Sequence, residues 1–276
     1  MELYLEQGQL VSREAWEEIV GKLKRTNSLS LEVLKHTWMQ AFEQAVLTRA
    51  KHSKSIGVLF SGGVDSTIIS FVLSKHKIPF CCYTVGFKDP GTKQPEDILE
   101  ARKIAKHFGW KHREILLDLK ELEPVLRSTK EVLGDVANPV TVGVAGVVMV
   151  AGKIAVADGV DLLFSGLGSE EIFAGYHRHE KASRAGGLDE EGWRGLLKMY
   201  DRDLIRDVRV AQALNVPVAT PFMDAEVMAL ALQMPSELKI KDGHKKYILR
   251  VMCEEYGLPH EFAFRQKKAA QYGSRM

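Results

Sequence analysis

Short apolar runs alternate with longer amphipathic stretches over most of the chain. Four of these runs, rich in β-branched and aromatic residues, predict buried strands at residues 56–60, 80–86, 113–117 and 160–164. The stretches between them predict helices at residues 67–75, 96–108, 119–133 and 140–157. This alternation predicts an α/β fold: a doubly wound, mostly parallel sheet with helices on both faces. Sheets of this kind bind ligands at the carboxyl ends of their strands.

Helical patterns also flank the alternating part. Residues 13–24 predict an amphipathic helix, and a second helix is predicted from an N-cap at Ser28 or Ser30 to about residue 51, with Trp38 in the core. We therefore expect a helical N-terminal extension, residues 1–52, packed on a core domain of residues 53–276 that ends in a helical C-terminal addition. Residues 181–203 contain Gly186-Gly187 and many charges, and are expected to form a mobile connection over the functional site.

The first predicted strand ends in a turn with the features of a phosphate site. Its sequence is Ser61-Gly62-Gly63-Val64-Asp65-Ser66, followed by Thr67. The N–H groups of the turn, the positive end of the next helix and three hydroxyl groups all suit phosphate oxygens. Asp65 would repel a bound phosphate unless a divalent cation lay between them, so it predicts Mg²⁺. The turn has no Walker A lysine; the plainer alternative is a Gly-Gly turn after a core strand.

A second predicted strand end carries two adjacent carboxylates. The strand at residues 160–164 is followed by Ser165-Gly166-Leu167-Gly168-Ser169-Glu170-Glu171. Acidic residues in the first turn of a helix also arise from simple compensation of the helix dipole. Taken alone, the motif does not distinguish a functional site from ordinary helix capping.

Taken together, the two motifs resemble those of one known family. The first is similar to the pyrophosphate loop of the N-type ATP pyrophosphatases. The second resembles the Ser-Gly-Glu-Gly-Ser/Ala-Asp-Glu signature of the synthetase domain of asparagine synthetases and of β-lactam synthetase. Further similar segments follow in the family's order: Asp97 with residues 98–105, Thr220-Pro221-Phe222-Met223-Asp224, Lys246-Tyr247-Ile248-Leu249-Arg250 and Arg265-Gln266-Lys267.

The resemblance implies an adenine nucleotide α-hydrolase-like fold and an enzyme that cleaves ATP to AMP and pyrophosphate. The residues that it implies for the β- and γ-phosphates are Ser61, Gly62, Gly63, Asp65 and Ser66. The main chain near Leu59 and Val85, with Gly166, would line the adenine and ribose side. Asp65 and Glu170 would share Mg²⁺. Lys267 would neutralise charge at the α-phosphate, with Lys246 a weaker candidate; the alternative for these lysines and Lys268 is a solvated basic tail.

Two departures from the family pattern bear on the substrates. Leu167 replaces a glutamate that the family is thought to use for the proton or the incoming amine, and Glu170 or Glu171 is the candidate replacement. Position 2 is Glu2, and too few residues precede the first motif for a glutaminase domain with an N-terminal cysteine nucleophile. We therefore expect ammonia, another amine or a separate glutaminase subunit as the nitrogen source. The hypothesis is an AMP-forming carbon–nitrogen ligase that amidates aspartate or a related carboxylate.

Composition excludes some other classes. A net charge of +2 with 38 basic and 36 acidic residues makes no case for nucleic acid or a membrane surface. The apolar stretch 140–157 contains several glycines and Lys153, so we expect a buried helix there. Three cysteines cannot form a regular disulfide framework, which favours a reduced, cytoplasmic setting.

Two alternatives stay open beside the ligase hypothesis. A tRNA-modifying pyrophosphatase that transfers sulfur would need a reactive cysteine, whereas Cys81 and Cys82 are expected to be inert thiols within a strand. In a non-catalytic ATP-binding homologue, Leu167 would be the substitution that removed catalysis. The identity of the carboxylate, the nitrogen donor and any homo-oligomer are not determined by the sequence.

Overall fold

The computed structural model describes residues 2–23, 29–88 and 94–265. Its strands are β1 (Leu5–Glu6), β2 (Gln9–Leu10), β3 (Ile56–Leu59), β4 (Phe80–Phe87), β5 (Lys111–Leu117), β6 (Leu162–Phe164), β7 (Val218–Ala219), β8 (Ile240–Lys241) and β9 (His244–Lys245). Its helices are α1 (Arg13–Lys22), α2 (Leu31–Ala50), α3 (Val64–Lys75), α4 (Glu96–Phe108), α5 (Leu119–Leu133), α6 (Pro139–Ala157), α7 (Ser169–Ile172), α8 (His177–Arg184), α9 (Leu188–Met199), α10 (Ile205–Leu214), α11 (Ala225–Gln233), α12 (Tyr247–Glu255) and α13 (His260–Ala263).

Five strands of the described residues form a parallel sheet in the order β5-β4-β3-β6-β7. The chain runs outward from β3 through β4 to β5, and then returns to the other side of β3 to add β6 and β7. The strand order therefore reverses between β3 and β6, which is the topological switch point where sheets of this type bind ligands. The loops after β3 and β6 thus start at neighbouring strand ends.

Helices cover both faces of this sheet. Successive side chains of a strand point to opposite faces. On one face Tyr83 and Val85 of β4 join Ala145 and Met149 of α6 in a buried apolar cluster. Gly86 lies on the other face, where an added Cβ would come within 2.8 Å of the Ile98 side chain of α4. The prediction of a doubly wound parallel α/β sheet is confirmed.

The contacts within the chain divide it into two compact units. We call Ala50–Ser165 with Asp201–Ala219 the sheet unit, and the described parts of Met1–Arg49, Gly166–Tyr200 and Thr220–Arg265 the helical unit. In the helical unit Trp38 is fully buried, stacks on Phe42 at 5.1 Å between ring centroids and meets Phe173 edge-on, so its predicted core role is confirmed. The predicted organisation into residues 1–52 and 53–276 stays a prediction.

Helix α6 is long and apolar enough to cross a membrane by length and composition, with a mean hydropathy of 2.1 over its most apolar window. Half of that window is buried, and Ala145, Met149, Ala151 and Ala155 belong to the core cluster of the sheet unit. Core helices of soluble proteins commonly have this composition. The prediction of a buried helix packed on the sheet is confirmed.

Other predictions need correction or fall outside the described residues. Residues 181–203, expected to be a mobile connection, contain the end of α8, all of α9 and most of a π-helical turn at Tyr200–Leu204. Helix α3 begins at Val64 rather than residue 67, because the extended Gly63 is its N-cap. Ser30 accepts a hydrogen bond from the Val33 N–H at 3.4 Å, as an N-cap does, whereas Ser28 lies outside the described residues.

Candidate active site

The turn after β3 has the backbone geometry of an anion site. Gly62 has φ +65°, a left-handed conformation that favours glycine, and Gly63 is extended at φ −73° and ψ 158°. Helix α3 then begins at Val64, so Asp65 and Ser66 lie in its first turn. N–H groups in a first helical turn have no partner within the helix and attract anions. The predicted strand–turn–helix arrangement is therefore present.

The hydroxyl groups of this turn have different roles. Ser66 Oγ accepts a hydrogen bond from the Ser61 N–H at 3.3 Å and donates one to the Gly63 carbonyl at 3.3 Å, so it holds the turn together. Thr67 is fully buried, and its Oγ1 has no hydrogen-bond partner among the described residues. A buried hydroxyl without a partner is costly unless a ligand satisfies it. The turn therefore fits a phosphate-bearing ligand.

The strand end beneath the turn is held by a chain of side-chain hydrogen bonds that no local sequence signal indicates. The Thr84 hydroxyl donates to the Phe60 carbonyl at 2.6 Å and is 2.7 Å from His112 Nε2. Since a hydroxyl has only one hydrogen, His112 Nε2 is the donor in the second bond. On the other side of the ring, Nδ1 lies 3.5 Å from the Glu114 carboxylate, and Arg102 binds that carboxylate at 2.7 and 2.5 Å. Burial lowers the pKa of His112.

Leu59 and Val85 lie on the adjacent strands β3 and β4, as the predicted adenine side requires. Leu59 pairs with Tyr83, and the Phe60 N–H donates to the Tyr83 carbonyl at 2.9 Å. The side chains of Leu59 and Val85 both contact the apolar cluster of the sheet unit. The structure thus brings these two backbone positions to neighbouring strands, and their contact with a nucleotide stays a prediction.

The turn after β6 differs in construction. Gly166 and Leu167 lead to Gly168, which has φ +95° and lies against Met223; an added Cβ at Gly168 would come within 2.5 Å of the Met223 sulfur. Helix α7 consists of four residues only, with Glu170 and Glu171 in its first turn as predicted. The position of these carboxylates therefore depends on contacts from elsewhere in the helical unit.

Glu170 and Lys246, both predicted site residues, form an ion pair. Lys246 Nζ lies 2.7 Å from Glu170 Oε1 and 3.1 Å from Ser169 Oγ. The Lys246 side chain is only 6% exposed, whereas that of Glu170 is 36% exposed. The alternative of a solvated basic tail is therefore wrong for Lys246. Lys267 and Lys268 lie outside the described residues.

Gly175 leaves the space in which this ion pair lies. A Cβ added to Gly175 would be 1.6 Å from Glu170 Oε2 and 2.4 Å from Lys246 Cε. Both distances are too short for non-bonded atoms, so Glu170 and Lys246 would have to move. The glycine that follows the acidic motif thus has a packing role that can be read directly from the contacts.

Glu171 points to different partners from those of Glu170. It is 3% exposed, and its Oε1 lies 3.8 Å from Arg178 Nη2, while Arg178 Nε pairs with Glu191 at 3.0 Å. Glu171 also lines a small cavity together with Ala174, Leu188, Asp189, Gly192, Leu232 and Lys239. Its surroundings are those of a buried structural carboxylate, and its predicted catalytic role stays a prediction.

The Thr220–Asp224 motif is joined to the start of the chain by a polar network that local sequence does not reveal. The Thr220 hydroxyl donates to Glu2 Oε2 at 2.6 Å, and Arg49 Nε donates to Glu2 Oε1 at 2.7 Å. Arg49 also reaches Asp224 at 3.1 Å, and Asp224 caps helix α11. Asp97, in the other family-like segment, is buried in the first turn of α4.

No group of three or more His, Cys, Asp or Glu residues within the described ranges has the arrangement of a metal site. A magnesium ion bound with ATP needs few protein carboxylates, because water and phosphate oxygens supply its other ligands. Asp65 and Glu170 are suitable ligands by chemistry. Their sharing of one ion stays a prediction.

Comparison with known proteins connects these motifs. The Asparagine synthase family model matches residues 37–188 and 180–276. The putative asparagine synthetase [glutamine-hydrolyzing] 1 of Methanocaldococcus jannaschii is 30% identical over 307 residues, which cover 98% of this chain and 55% of the relative. The asparagine synthetase [glutamine-hydrolyzing] of Gallus gallus is 32% identical over 267 residues, covering 93% of this chain and 46% of the relative.

The chain thus spans about half the length of these relatives. Among solved structures, the NH3-dependent NAD synthetase of Campylobacter jejuni is similar with a TM-score of 0.33 and 13% identity, over 64% of this chain and 92% of that one. The family model covers the turn after β3, the acidic motif after β6 and the segment that contains Lys246. On this basis the chain belongs to the asparagine synthase family.

Proposed function

We propose that this chain is an AMP-forming amide ligase that uses ATP to join a small carboxylate, aspartate or a related acid, to ammonia or an amine. A carboxylate oxygen attacks the α-phosphorus of ATP and pyrophosphate leaves. The nitrogen then attacks the carbonyl of the acyl-adenylate, and AMP leaves with the original carboxylate oxygen. No nucleophilic side chain is needed, because the protein acts by positioning and charge stabilisation.

The observation that carries this proposal is the buried contact of Lys246 with Glu170 and Ser169. A lysine that only solubilises the surface would be exposed, whereas Lys246 is withdrawn from solvent and directed onto the acidic motif. A buried cation at such a motif can stabilise negative charge that develops on a phosphoryl group. Lys246 is therefore the described residue to which we assign this role. Lys267 is assigned it on the family motif alone.

The turn after β3 is the proposed site for the phosphates of ATP. Its N–H groups and the hydroxyl of Thr67 are suited to bind oxygens, and Ser66 keeps the turn in shape. Asp65 and Glu170 are the carboxylates that we propose as Mg²⁺ ligands, on the family motif. Bound Mg²⁺ would neutralise phosphate charge and so favour departure of pyrophosphate.

Leu167 bears on the proposed source of nitrogen. Leu167 can neither accept a proton nor bind an ammonium ion, so Glu170 or Glu171 is assigned the role of the family glutamate. Ammonia, another amine or a separate glutaminase subunit would supply the nitrogen, and a homo-oligomer is compatible with any of these. Aspartate is proposed as the acid because the relatives are asparagine synthetases.

The cysteines weigh against the sulfur-transfer alternative. Cys82 is fully buried in β4, and burial raises the pKa of its thiol; burial also raises the pKa of Cys81. A thiol is nucleophilic only as thiolate. These two residues therefore have the properties of core thiols, as expected for proteins of a reduced, cytoplasmic setting.

The proposal is tested by the products of ATP turnover. The protein is incubated with ATP, Mg²⁺, ammonium and a panel of amino acids that includes aspartate, and the nucleotides are separated. We expect AMP and pyrophosphate with at least one acid, and loss of both in Asp65→Asn but not in Asp135→Asn, which alters an exposed carboxylate. Formation of ADP and phosphate alone would overturn the proposal, and tight ATP binding without turnover would favour the non-catalytic alternative.

A further inference from the structure

Arg250 of α12 makes an unusual set of hydrogen bonds to the backbone. Its Nε donates to the Lys245 carbonyl at 2.8 Å, and its Nη1 donates to the carbonyls of Ala263 at 2.6 Å and Arg265 at 2.8 Å. Arg250 is only 7% exposed. One buried guanidinium therefore joins two segments that are almost twenty residues apart in sequence.

The first segment leads to a lysine of the proposed site, because the Lys245 carbonyl belongs to the peptide bond that continues into Lys246. We propose that Arg250 is a positioning residue that holds residues 244–246 against residues 263–265, so that Lys246 is placed for the α-phosphate. This inference rests on the proposed function of the chain.

The geometry of the first segment shows why it needs such support. Lys246 has φ +56°, a left-handed conformation that is uncommon for a residue with a side chain, and it is also the N-cap of α12. Residues in such conformations persist only where surrounding structure holds them. The hydrogen bond from Arg250 to the preceding carbonyl supplies one such restraint, and the ion pair with Glu170 supplies another.

Ring contacts of Phe264 also hold the second segment. Phe264 lies between the two residues whose carbonyls bind Arg250, and its ring stacks on His260 at 4.6 Å and meets His244 edge-on at 5.4 Å. His244 belongs to β9, directly before Lys245. The ring contacts and the guanidinium thus join the same two segments.

A simpler role for Arg250 would be to cap the end of helix α13, because the Ala263 carbonyl is in its last turn. Capping explains the bond to Ala263 but not the bond to Lys245. The planar guanidinium offers five donors in a fixed fork, which an ammonium group does not. Arg250→Lys therefore keeps the positive charge but loses the simultaneous hydrogen bonds. It distinguishes the effect of joining the two segments from the effect of the charge.

The first test measures ATP turnover to AMP in Arg250→Lys and Arg250→Met. We expect kcat to fall about 30-fold or more in both, since displacement of a catalytic group by about 1 Å costs about 100-fold. KM for ATP should change little, and the melting temperature should fall further in Arg250→Met, which leaves three carbonyls without their donor, than in Arg250→Lys. Arg209→Lys is the matched control, since Arg209 also donates to a backbone carbonyl, that of Leu133 in the sheet unit. Wild-type kcat in Arg250→Lys, or a loss that follows the melting temperature, would overturn the inference.

The second test does not depend on the proposed reaction. Hydrogen exchange is followed in peptides that cover residues 244–246 and 263–265 of the full chain. We expect faster exchange in both segments in Arg250→Lys and in neither for Arg209→Lys. Faster exchange at residues 263–265 alone would show a helix cap and overturn the inference. If the wild-type chain forms no AMP, the proposed function fails, and this exchange result still decides whether Arg250 joins the segments.

Discussion

The turns after β3 and β6 follow the same local pattern, yet different interactions hold them. Each begins with Ser-Gly after an apolar strand and opens a helix with a carboxylate in its first turn. The first turn is followed by a twelve-residue helix, and the hydroxyl of Ser66 bonds within the turn itself. The second opens a four-residue helix, and its Glu170 is held by Lys246, 76 residues away.

This difference shows what kind of change each turn can tolerate. A turn stabilised by its own backbone and hydroxyl groups depends on a few adjacent residues. A turn held by a distant lysine is sensitive to substitutions that lie far from it in sequence. Substitutions of Lys246 and Gly175 test the dependence of the second turn on distant contacts, and a substitution of His112 tests the support beneath the first turn. The expected effects decrease in that order.

Removal of the distant lysine should have the largest effect. In Lys246→Met we expect kcat for AMP formation to fall about 100- to 1,000-fold, the usual loss for a group that stabilises developing charge. Stability should change little, because Glu170 is exposed enough to be hydrated when its partner is removed. Steady-state kinetics with ATP and the preferred acid measure both kcat and KM.

The matched control for this substitution is Lys245→Met. Lys245 is adjacent in sequence, and its ammonium group lies 3.9 Å from Glu180 at a partly exposed position. We expect its kcat to stay within about twofold of wild type, as for an exposed ion pair of small energetic value. Equal losses in the two variants would contradict the assignment of Lys246.

Filling the space beneath the ion pair should have an intermediate effect. In Gly175→Ala the new methyl group would lie 1.6 Å from Glu170 Oε2, so Glu170 and Lys246 must both move. We expect a loss of about 1–3 kcal/mol in the free energy of unfolding, typical of overpacking, and about 10-fold in kcat. Chemical denaturation and turnover assays measure the two quantities.

Gly21→Ala is the control for the added methyl group. Nothing lies within 4 Å of a Cβ at Gly21 in helix α1. Because alanine favours a helix more than glycine does, this variant should gain about 0.5–1 kcal/mol in the free energy of unfolding. A Gly175→Ala protein with wild-type stability and turnover would show that the ion pair is not held in the described position.

Substitution of His112, in the chain of hydrogen bonds beneath the first turn, should have the smallest effect. Burial lowers the pKa of His112, whose neighbouring charges are Glu114, which raises it, and Arg102, which lowers it. The unfolded chain then takes up a proton near pH 6.5, before the folded chain does. His112 should therefore reduce stability as the pH falls below about 6.5 towards the folded pKa, and have no such effect above that range.

The substitution His112→Gln removes this titration. We expect a flatter dependence of the free energy of unfolding on pH between about 5 and 7, and a loss of about 1 kcal/mol at pH 7.5 from the hydrogen bond to Thr84. His52→Gln, which removes an exposed imidazole, is the control. Unchanged pH dependence in His112→Gln would show that the ring titrates alike in both states.

Elements with strong local signals could be predicted from the sequence. The bounds of α4 and α5 follow from their apolar stripes and from their ends, a left-handed Gly109 after α4 and a capping box at Asp118 before α5. Two-residue strands such as β7 are too short to show a period of two. The charges and glycines of residues 181–203 predict a mobile connection, but Leu188, Leu196 and Met199 are buried on one face of α9.

In the candidate site, too, local sequence predicts some features and tertiary packing determines the others. The positions of Asp65 and Glu170 in first helical turns follow from the local order of strand, glycine and helix. The partners of Glu170 and Glu171 do not, because Lys246 and Arg178 approach them through tertiary packing. The same holds for Thr84 and His112, which support the Phe60 carbonyl from adjacent strands.

The most direct measurement for the proposed reaction follows an oxygen atom. The preferred acid is prepared with ¹⁸O at both oxygens of each carboxylate and turned over with ATP, Mg²⁺ and ammonium, and the AMP is analysed by mass spectrometry. If the carboxylate attacks the α-phosphorus, each AMP formed carries one ¹⁸O. Unlabelled AMP, or ¹⁸O found in phosphate or pyrophosphate instead, would contradict an acyl-adenylate and with it the account of this site.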